Sequence, residues 1–325
     1  MRNLVAYDCT MKALSYALIL PVTFVVVSAA QERAGGPPPQ AATAPLVKEG
    51  ATVKLAPHSY AIPDDNAVLV PNVGIVVGSR ATLVIDPGMG RRNGEAVLRE
   101  AQKLRNNAEM YVATTHYHVE HTLGYLGLPN ARYVNSKTQE AEFAEEWQRQ
   151  ARLFASRGPA FAELLNTANG RTADVTFDRE HTLDLGGVTV RMIVVGPTHT
   201  RGDTIFFVEG DSVLYAGDVV MNESFVAANE SSSMKAWLAA YDLLEMMGPK
   251  AIVPAHGKLG DGTLIPTNRA FMRQIQERAH ALKAQGRSVD EVADIVQKEM
   301  RARYPTFARA NGAAGAARAA YKEAS

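Results

Sequence analysis

Between Thr114 and His121 the sequence reads Thr114-Thr115-His116-Tyr117-His118-Val119-Glu120-His121, which puts three imidazoles and a carboxylate into six residues. Imidazole nitrogen and carboxylate oxygen are the ligands zinc takes when no thiolate is offered. In an extended chain, residues two apart point to one side. His116, His118 and Glu120 therefore converge, and His121 turns in where the next element starts. One lone histidine is more often a satisfied polar group of a core, whereas four potential ligands at this spacing point to a metal. Three shorter pieces follow, each just past a hydrophobic run: Gly196-Pro197-Thr198-His199-Thr200-Arg201-Gly202-Asp203, Tyr215-Ala216-Gly217-Asp218 and Pro254-Ala255-His256-Gly257. Each is weak alone, and their order and spacing carry the weight.

The elements that must position these groups are short β-branched runs punctuated by glycine. Strands are expected at 73–77 and 82–85, the latter stopping at Asp86-Pro87-Gly88, and again at 110–114 and 131–134. Between them, 93–104 has helical spacing, with Val97, Leu98, Ala101 and Leu104 on one stripe. A long helix at 136–154 and a second at 159–166 form a helical insertion, in which Phe143, Trp147, Phe154 and Phe161 are core or pocket lining. The second half repeats the strand pattern at 188–195, 204–208, 212–215 and 251–253, with helices at 234–247, 268–285 and 289–301. This alternation suits an α/β fold of two sheets packed face to face with helices outside.

These motifs resemble those of the metallo-β-lactamase superfamily over about 53–264, all five motif positions being matched when Asp86 is taken as the first. The resemblance implies a four-layer αββα sandwich with metals in a shallow groove at one edge of the sheets. Carried over residue by residue, it places His116, His118 and His199 on a first metal and Glu120, His121 and His256 on a second, bridged by Asp218. Glu120 and Asp218 are then the acidic groups of the catalytic centre. The chain departs from the pattern at Glu120, where the family has aspartate, so the second site is expected to be the weaker of the two. Asp218 resembles the bridging ligand of the glyoxalase II type of hydrolase, so β-lactams are among the candidate substrates without being the default one. Asp86 is expected to accept an imidazole N–H and fix its tautomer, with a plain turn residue as the alternative. Thr200 and Asp203 are expected to orient the loop of His199. His58, His181 and His280 have no partner motifs and read as ordinary surface or loop histidines.

The expected activity is metal-assisted hydrolysis, with one or two zinc ions lowering the pKa of water to about 7 and polarising a carbonyl or ester. No G-x-S-x-G elbow is present, so water is expected to attack directly. The substrate is a small molecule (a β-lactam, thioester, lactone or related compound), recognised by loops such as the helical insertion and 222–225. A single-iron persulfide dioxygenase of the same fold and a non-catalytic exported metal-binding protein are the rival readings.

With 34 basic and 34 acidic residues and no long run of either sign, nucleic acid is not an expected partner. Lys12, the apolar run 13–27 and Ser28-Ala29-Ala30 read as a signal peptide over 1–30, with Met1 or Met11 as the start. The run is too short to favour a spanning helix, so the mature protein is expected to be secreted or periplasmic and not inserted in the membrane. A Pro/Gly/Ala-rich linker over 31–50, a hydrolase domain over 51–308 and an Ala/Gly-rich tail over 309–325 complete the expected plan. The single cysteine, Cys9, falls in the segment expected to be removed, so neither a disulfide nor a thiolate ligand is expected.

Overall fold

The computed structural model describes residues 44–65, 67–309 and 311–324. The proposed signal peptide and most of the proposed linker lie outside the described residues. The first sheet runs in sequence order: β1 (Val53–Lys54), β2 (Ser59–Ile62), β3 (Val73–Val77), β4 (Ala81–Ile85), β5 (Glu109–Ala113), β6 (Arg132–Ser136) and β7 (Val175–Phe177). Pairing is antiparallel from β1 to β4 and parallel from β4 to β7. The parallel half needs crossovers. Helix α1 (Gly90–Leu104) supplies one, and α2 (Val119–Thr122) with the following 3-10 turn supplies the next. The last is made by α3 (Lys137–Ala155) and α4 (Pro159–Leu165). The second sheet has the order β12-β11-β10-β9-β8, from β8 (Glu180–Asp184), β9 (Thr189–Val194), β10 (Thr204–Val208), β11 (Val213–Gly217) and β12 (Ala251–Pro254). Helices α5 (Met234–Met247), α6 (Leu264–Ala284), α7 (Val289–Arg303) and α8 (Gly312–Glu323) cover its outer face.

Three apolar layers account for the stacking. Along β4, Ala81, Leu83 and Ile85 join the layer between the sheets, whereas Val84 joins the layer beneath α1 and α3. Along β11, Val213 and Tyr215 face the other sheet, and Leu214 and Ala216 face Trp237 and its helical neighbours. Strands buried on both faces read as unbroken apolar runs, which is why these were legible from composition. The weakly apolar β1, β7 and β8 had no such signal. The four-layer αββα arrangement is therefore the one expected.

Two boundaries differ from expectation. The end of the proposed linker is packed: Val47 is buried, its N–H donates to Asn93 Oδ1 at 2.8 Å, and Asn93 Nδ2 donates to the Pro45 carbonyl at 2.8 Å. Residues 309–325, set apart above as a tail, carry helix α8, whose Ala313, Ala316, Ala317 and Ala320 are buried in the outer core of the second sheet. Small side chains at helical spacing let this helix approach closely, so low side-chain complexity here marks tight packing. Among the described residues no helix is long and apolar enough to cross a membrane.

Candidate metal centre

Every residue of the expected ligand set, and Asp86 beside it, follows the C-terminal end of a strand. Asp86 follows β4, the 116–121 segment β5, His199 β9, Asp218 β11 and His256 β12. One detail of the expected geometry is corrected. The chain is not extended here: it bends over 115–117, and His116 and His118 meet across that bend. From Val119 the chain turns into α2, with His118 as its N-cap, so Glu120 and His121 are delivered together by one helical turn. That turn is what splits the motif into two clusters.

In the first cluster His116 Nε2 lies 3.0 Å from His118 Nδ1, which lies 3.2 Å from His199 Nε2. In the second, His121 Nε2 and His256 Nε2 are 3.2 Å apart, with the Glu120 carboxylate beside them. The ligand atoms of each trio lie within 4.8 Å of one another. Asp218 stands between the trios, its Oδ2 3.5 Å from His199 Nε2 and its Oδ1 3.9 Å from His256 Nε2. Gly217 brings it there. The residue has φ +58, and a Cβ on it would sit 2.7 Å from Thr115 Cβ, so this close approach of β11 to the end of β5 requires glycine.

The outward nitrogens of four of the five rings, His116, His121, His199 and His256, are tied down. Asp86 Oδ2 accepts from His121 Nδ1 at 3.0 Å and from the Thr115 hydroxyl at 2.8 Å, while Asp86 Oδ1 accepts the Thr115 N–H at 2.7 Å. With its proton given to Asp86, Thr115 Oγ1 can only accept from His116 Nδ1, 3.0 Å away. His256 Nδ1 donates to the Val70 carbonyl at 2.8 Å, and His199 Nδ1 donates to the Ala227 carbonyl. An imidazole that donates from its outer nitrogen presents a lone pair from its inner one. Four such lone pairs, with the buried and unpartnered Glu120 Oε2 and Asp218 Oδ1, converge on the same small volume. This donor set fits a bound cation and is a poor fit for anything else.

Electrostatics agree. Burial, reinforced by the neighbouring rings, holds His116 and His118 well below the usual histidine range and takes His256 down to about 3. These are neutral rings, ready to ligate. Burial opposes the charged form of His121 as well, yet the carboxylates of Asp86, Glu120 and Asp218 together outweigh it and raise the pKa. Glu120 is pushed up by burial. Asp218 is held well below the usual carboxylate range despite its burial, chiefly by Arg309, whose Nη1 donates to Asp218 Oδ2 at 2.6 Å.

Around this centre, Asp203 accepts from the Thr198 hydroxyl, from the Thr200 N–H at 2.9 Å and from the Thr200 hydroxyl at 2.6 Å, closing the loop that bears His199. This loop includes a cis Gly196–Pro197 bond. A groove of about 550 Å³ opens beside His256, lined by 222–224 as expected and also by Leu69, Lys258 and Arg309. The helical insertion does not line it. It braces the loops from behind, Gln150 accepting the Val119 N–H at 3.2 Å and Glu142 accepting the N–H groups of Arg201 and Gly202 at 2.9 and 2.7 Å. Phe143, Trp147, Phe154 and Phe161 pack in the core of the first sheet. His58 and His181 lie away from the cluster, His58 Nδ1 facing the Val77 carbonyl and His181 stacking on Phe177, and His280 sits on α6. Arg309, Thr115 and the carbonyls of Val70 and Ala227 join the site without a motif that marks them. For the carbonyls no residue type could have signalled them.

The sequence profile of the Metallo-beta-lactamase superfamily matches residues 67–256, more than half of the chain. The chain belongs to this superfamily. No curated protein sequence matches it. Among solved structures, a metallo-beta-lactamase from Pontibacter korlensis is similar at 20% identity with a TM-score of 0.52, over 67% of this chain and 96% of that one. A metallo-beta-lactamase family protein from Thermus thermophilus is similar at 19% identity and a TM-score of 0.58, over 82% of this chain and 94% of that one. A stereoselective inverting sec-alkylsulfatase from Pseudomonas sp. gives a TM-score of 0.66 at 16% identity, over 84% of this chain, which spans only 50% of the sulfatase. At these identities the likeness speaks to the fold. Superfamily membership and the candidate metal site together make the chain a metallohydrolase.

Proposed function

We propose that this superfamily hydrolase binds two zinc ions and uses them to hydrolyse a carbonyl or ester-type small molecule. The carrying observation is the convergence of the inner nitrogens of His116, His199, His121 and His256, whose outer nitrogens are all committed to acceptors. In this reading His116, His118 and His199 hold one ion, Glu120, His121 and His256 hold the other, and Asp218 joins them. Zinc bound there would supply a Lewis acid and water acidified to a pKa of about 7.

The protein's own groups do the rest. The Asp86, Val70 and Ala227 acceptors keep the rings in one tautomer and orientation, so no reorganisation is needed when charge develops. Thr115, the hydroxyl beside His116, is committed to Asp86 and is not free to act as a nucleophile. Direct attack by water is the chemistry left. Two complete ligand trios favour a dinuclear hydrolase over the single-iron dioxygenase reading. Asp218 in the bridging place favours the glyoxalase II type, and hence thioesters or lactones, ahead of β-lactams.

Elemental analysis of purified protein, followed by a panel of thioester, lactone, β-lactam, sulfate-ester and phosphodiester probes, tests the proposal. About two zinc per chain and hydrolysis of a probe, lost on chelation and restored by zinc, are expected. A single iron with oxygen consumption, or failure to take up zinc, would refute it. Export is part of the same reading, motivated by Lys12, the apolar run after it and Ser28-Ala29-Ala30. N-terminal sequencing of periplasmic or medium fractions should begin near Ala30 or Gln31, and intact Met1 on cytoplasmic protein would contradict it.

A further inference from the structure

Arg309 lies outside the residues that match the superfamily profile, yet its guanidinium touches the centre of the site. Its position is built with some care by the C-terminal segment. Ala308 pairs with the stretch after β11, its N–H donating to the Glu223 carbonyl at 3.0 Å and its carbonyl accepting the Phe225 N–H at 3.1 Å. Arg309 follows at φ 54, a left-handed backbone that a residue other than glycine keeps only where its surroundings determine it. Helix α8 then lies flush on 226–228. A Cβ on Gly312 would come within 2.2 Å of the Val226 carbonyl oxygen, and one on Gly315 within 2.1 Å of that of Ala228. The carbonyl between these two contacts, that of Ala227, is the acceptor for His199 Nδ1. One packed helix thus supports both a candidate ligand ring and the cation on Asp218.

A guanidinium at 2.6 Å from a buried carboxylate does the electrostatic work that a metal ion does there. Without it, and without metal, Asp218 would be a buried carboxylate with no cation hydrogen-bonded to it, a strongly unfavourable arrangement. We propose that Arg309 is a built-in counter-cation, which holds Asp218 in place when metal is absent and competes with metal for it when metal binds. This rests on the zinc site proposed above. The consequence is a centre whose fold does not depend on the ion and whose affinity for the ion is reduced in exchange.

Two variants separate charge from hydrogen bonding. Arg309→Gln keeps an N–H donor without the charge, and Arg309→Lys keeps the charge without the planar fork. Zinc affinity of the full-length protein is read by competition with a chromophoric chelator, and melting temperature is read with and without zinc. We expect at least one zinc-binding step to tighten by about tenfold or more in Arg309→Gln, and the Arg309→Lys steps to stay within about threefold of the unaltered protein. Metal-free Arg309→Gln should melt lower than the metal-free parent, and zinc should close the gap. Should Arg309→Gln fold only when prepared in zinc and unfold on chelation, that is the same result in stronger form. Equal or weaker zinc binding in Arg309→Gln, an unchanged metal-free melting temperature, or failure to fold even with zinc would overturn the inference. Failure of the parent protein to bind zinc would instead overturn the zinc site itself.

Discussion

The two ligand trios each take two members from the same short motif and a third from a separate loop, and they differ in what holds them. His116, His118 and His199 offer three imidazoles, with His116 steadied by a hydroxyl and His199 by a backbone carbonyl. The other trio contains a carboxylate, Glu120, raised in pKa by burial and left with one unpartnered oxygen, and a ring, His121, made more basic by Asp86. In the first trio burial favours the neutral form of the His116 and His118 rings. In the second, burial favours the protonated form of Glu120 and Asp86 that of His121, and metal binding works against both tendencies. Unequal metal affinities are therefore expected, the first site being the tighter.

The sharpest way to break this comparison is His116→Ala. It removes a direct ligand of the trio expected to bind more tightly, so metal affinity should fall by more than the 10–100-fold typical of losing an outer partner, and turnover should collapse. The sandwich should still fold, because its apolar layers lie elsewhere. Chelator competition, activity and circular dichroism read the three parts. Zinc content and activity like those of the parent would show the ligand assignment to be wrong.

Next in size is Asp86→Asn, which retains the shape but weakens acceptance from both His121 and Thr115. A loss of about 10–100-fold in affinity is expected, greater at the second site because His121 bonds Asp86 directly while His116 reaches it through Thr115. Equal losses at both sites would mean that the two trios act as one unit.

The smallest effect belongs to Glu120→Asp. A carboxylate must reach zinc at about 2.0–2.2 Å, and the extra methylene of glutamate changes that reach by more than a good site tolerates. Stepwise titration of the parent should show one tight and one weaker zinc, and Glu120→Asp should bring the two closer together. Two equally tight ions in the parent, unmoved by the substitution, would show that α2 has accommodated the longer side chain.

Much of this site was legible because ligand type and spacing are local properties. His116, His118, Glu120 and His121 lie within six residues, and the pieces bearing His199, Asp218 and His256 each sit just after a strongly apolar strand. Strand periodicity and side-chain chemistry are written in residue type, so the four clustered ligand candidates, the strands buried on both faces and a two-sheet arrangement could be read directly, whereas His199, Asp218 and His256 joined the candidate set through the superfamily resemblance. What depended on tertiary structure was the orientation of those ligands. The turn of α2 at His118 divided one motif into two trios, and the carbonyls of Val70 and Ala227 fixed two of the rings. A backbone carbonyl belongs to every residue alike and leaves no mark in a sequence. Arg309 was hidden for a related reason. It lies 91 residues from Asp218, in a stretch of alanine and glycine whose composition suggests a loose tail, and only the close seating of α8 brings its charge to the metal site.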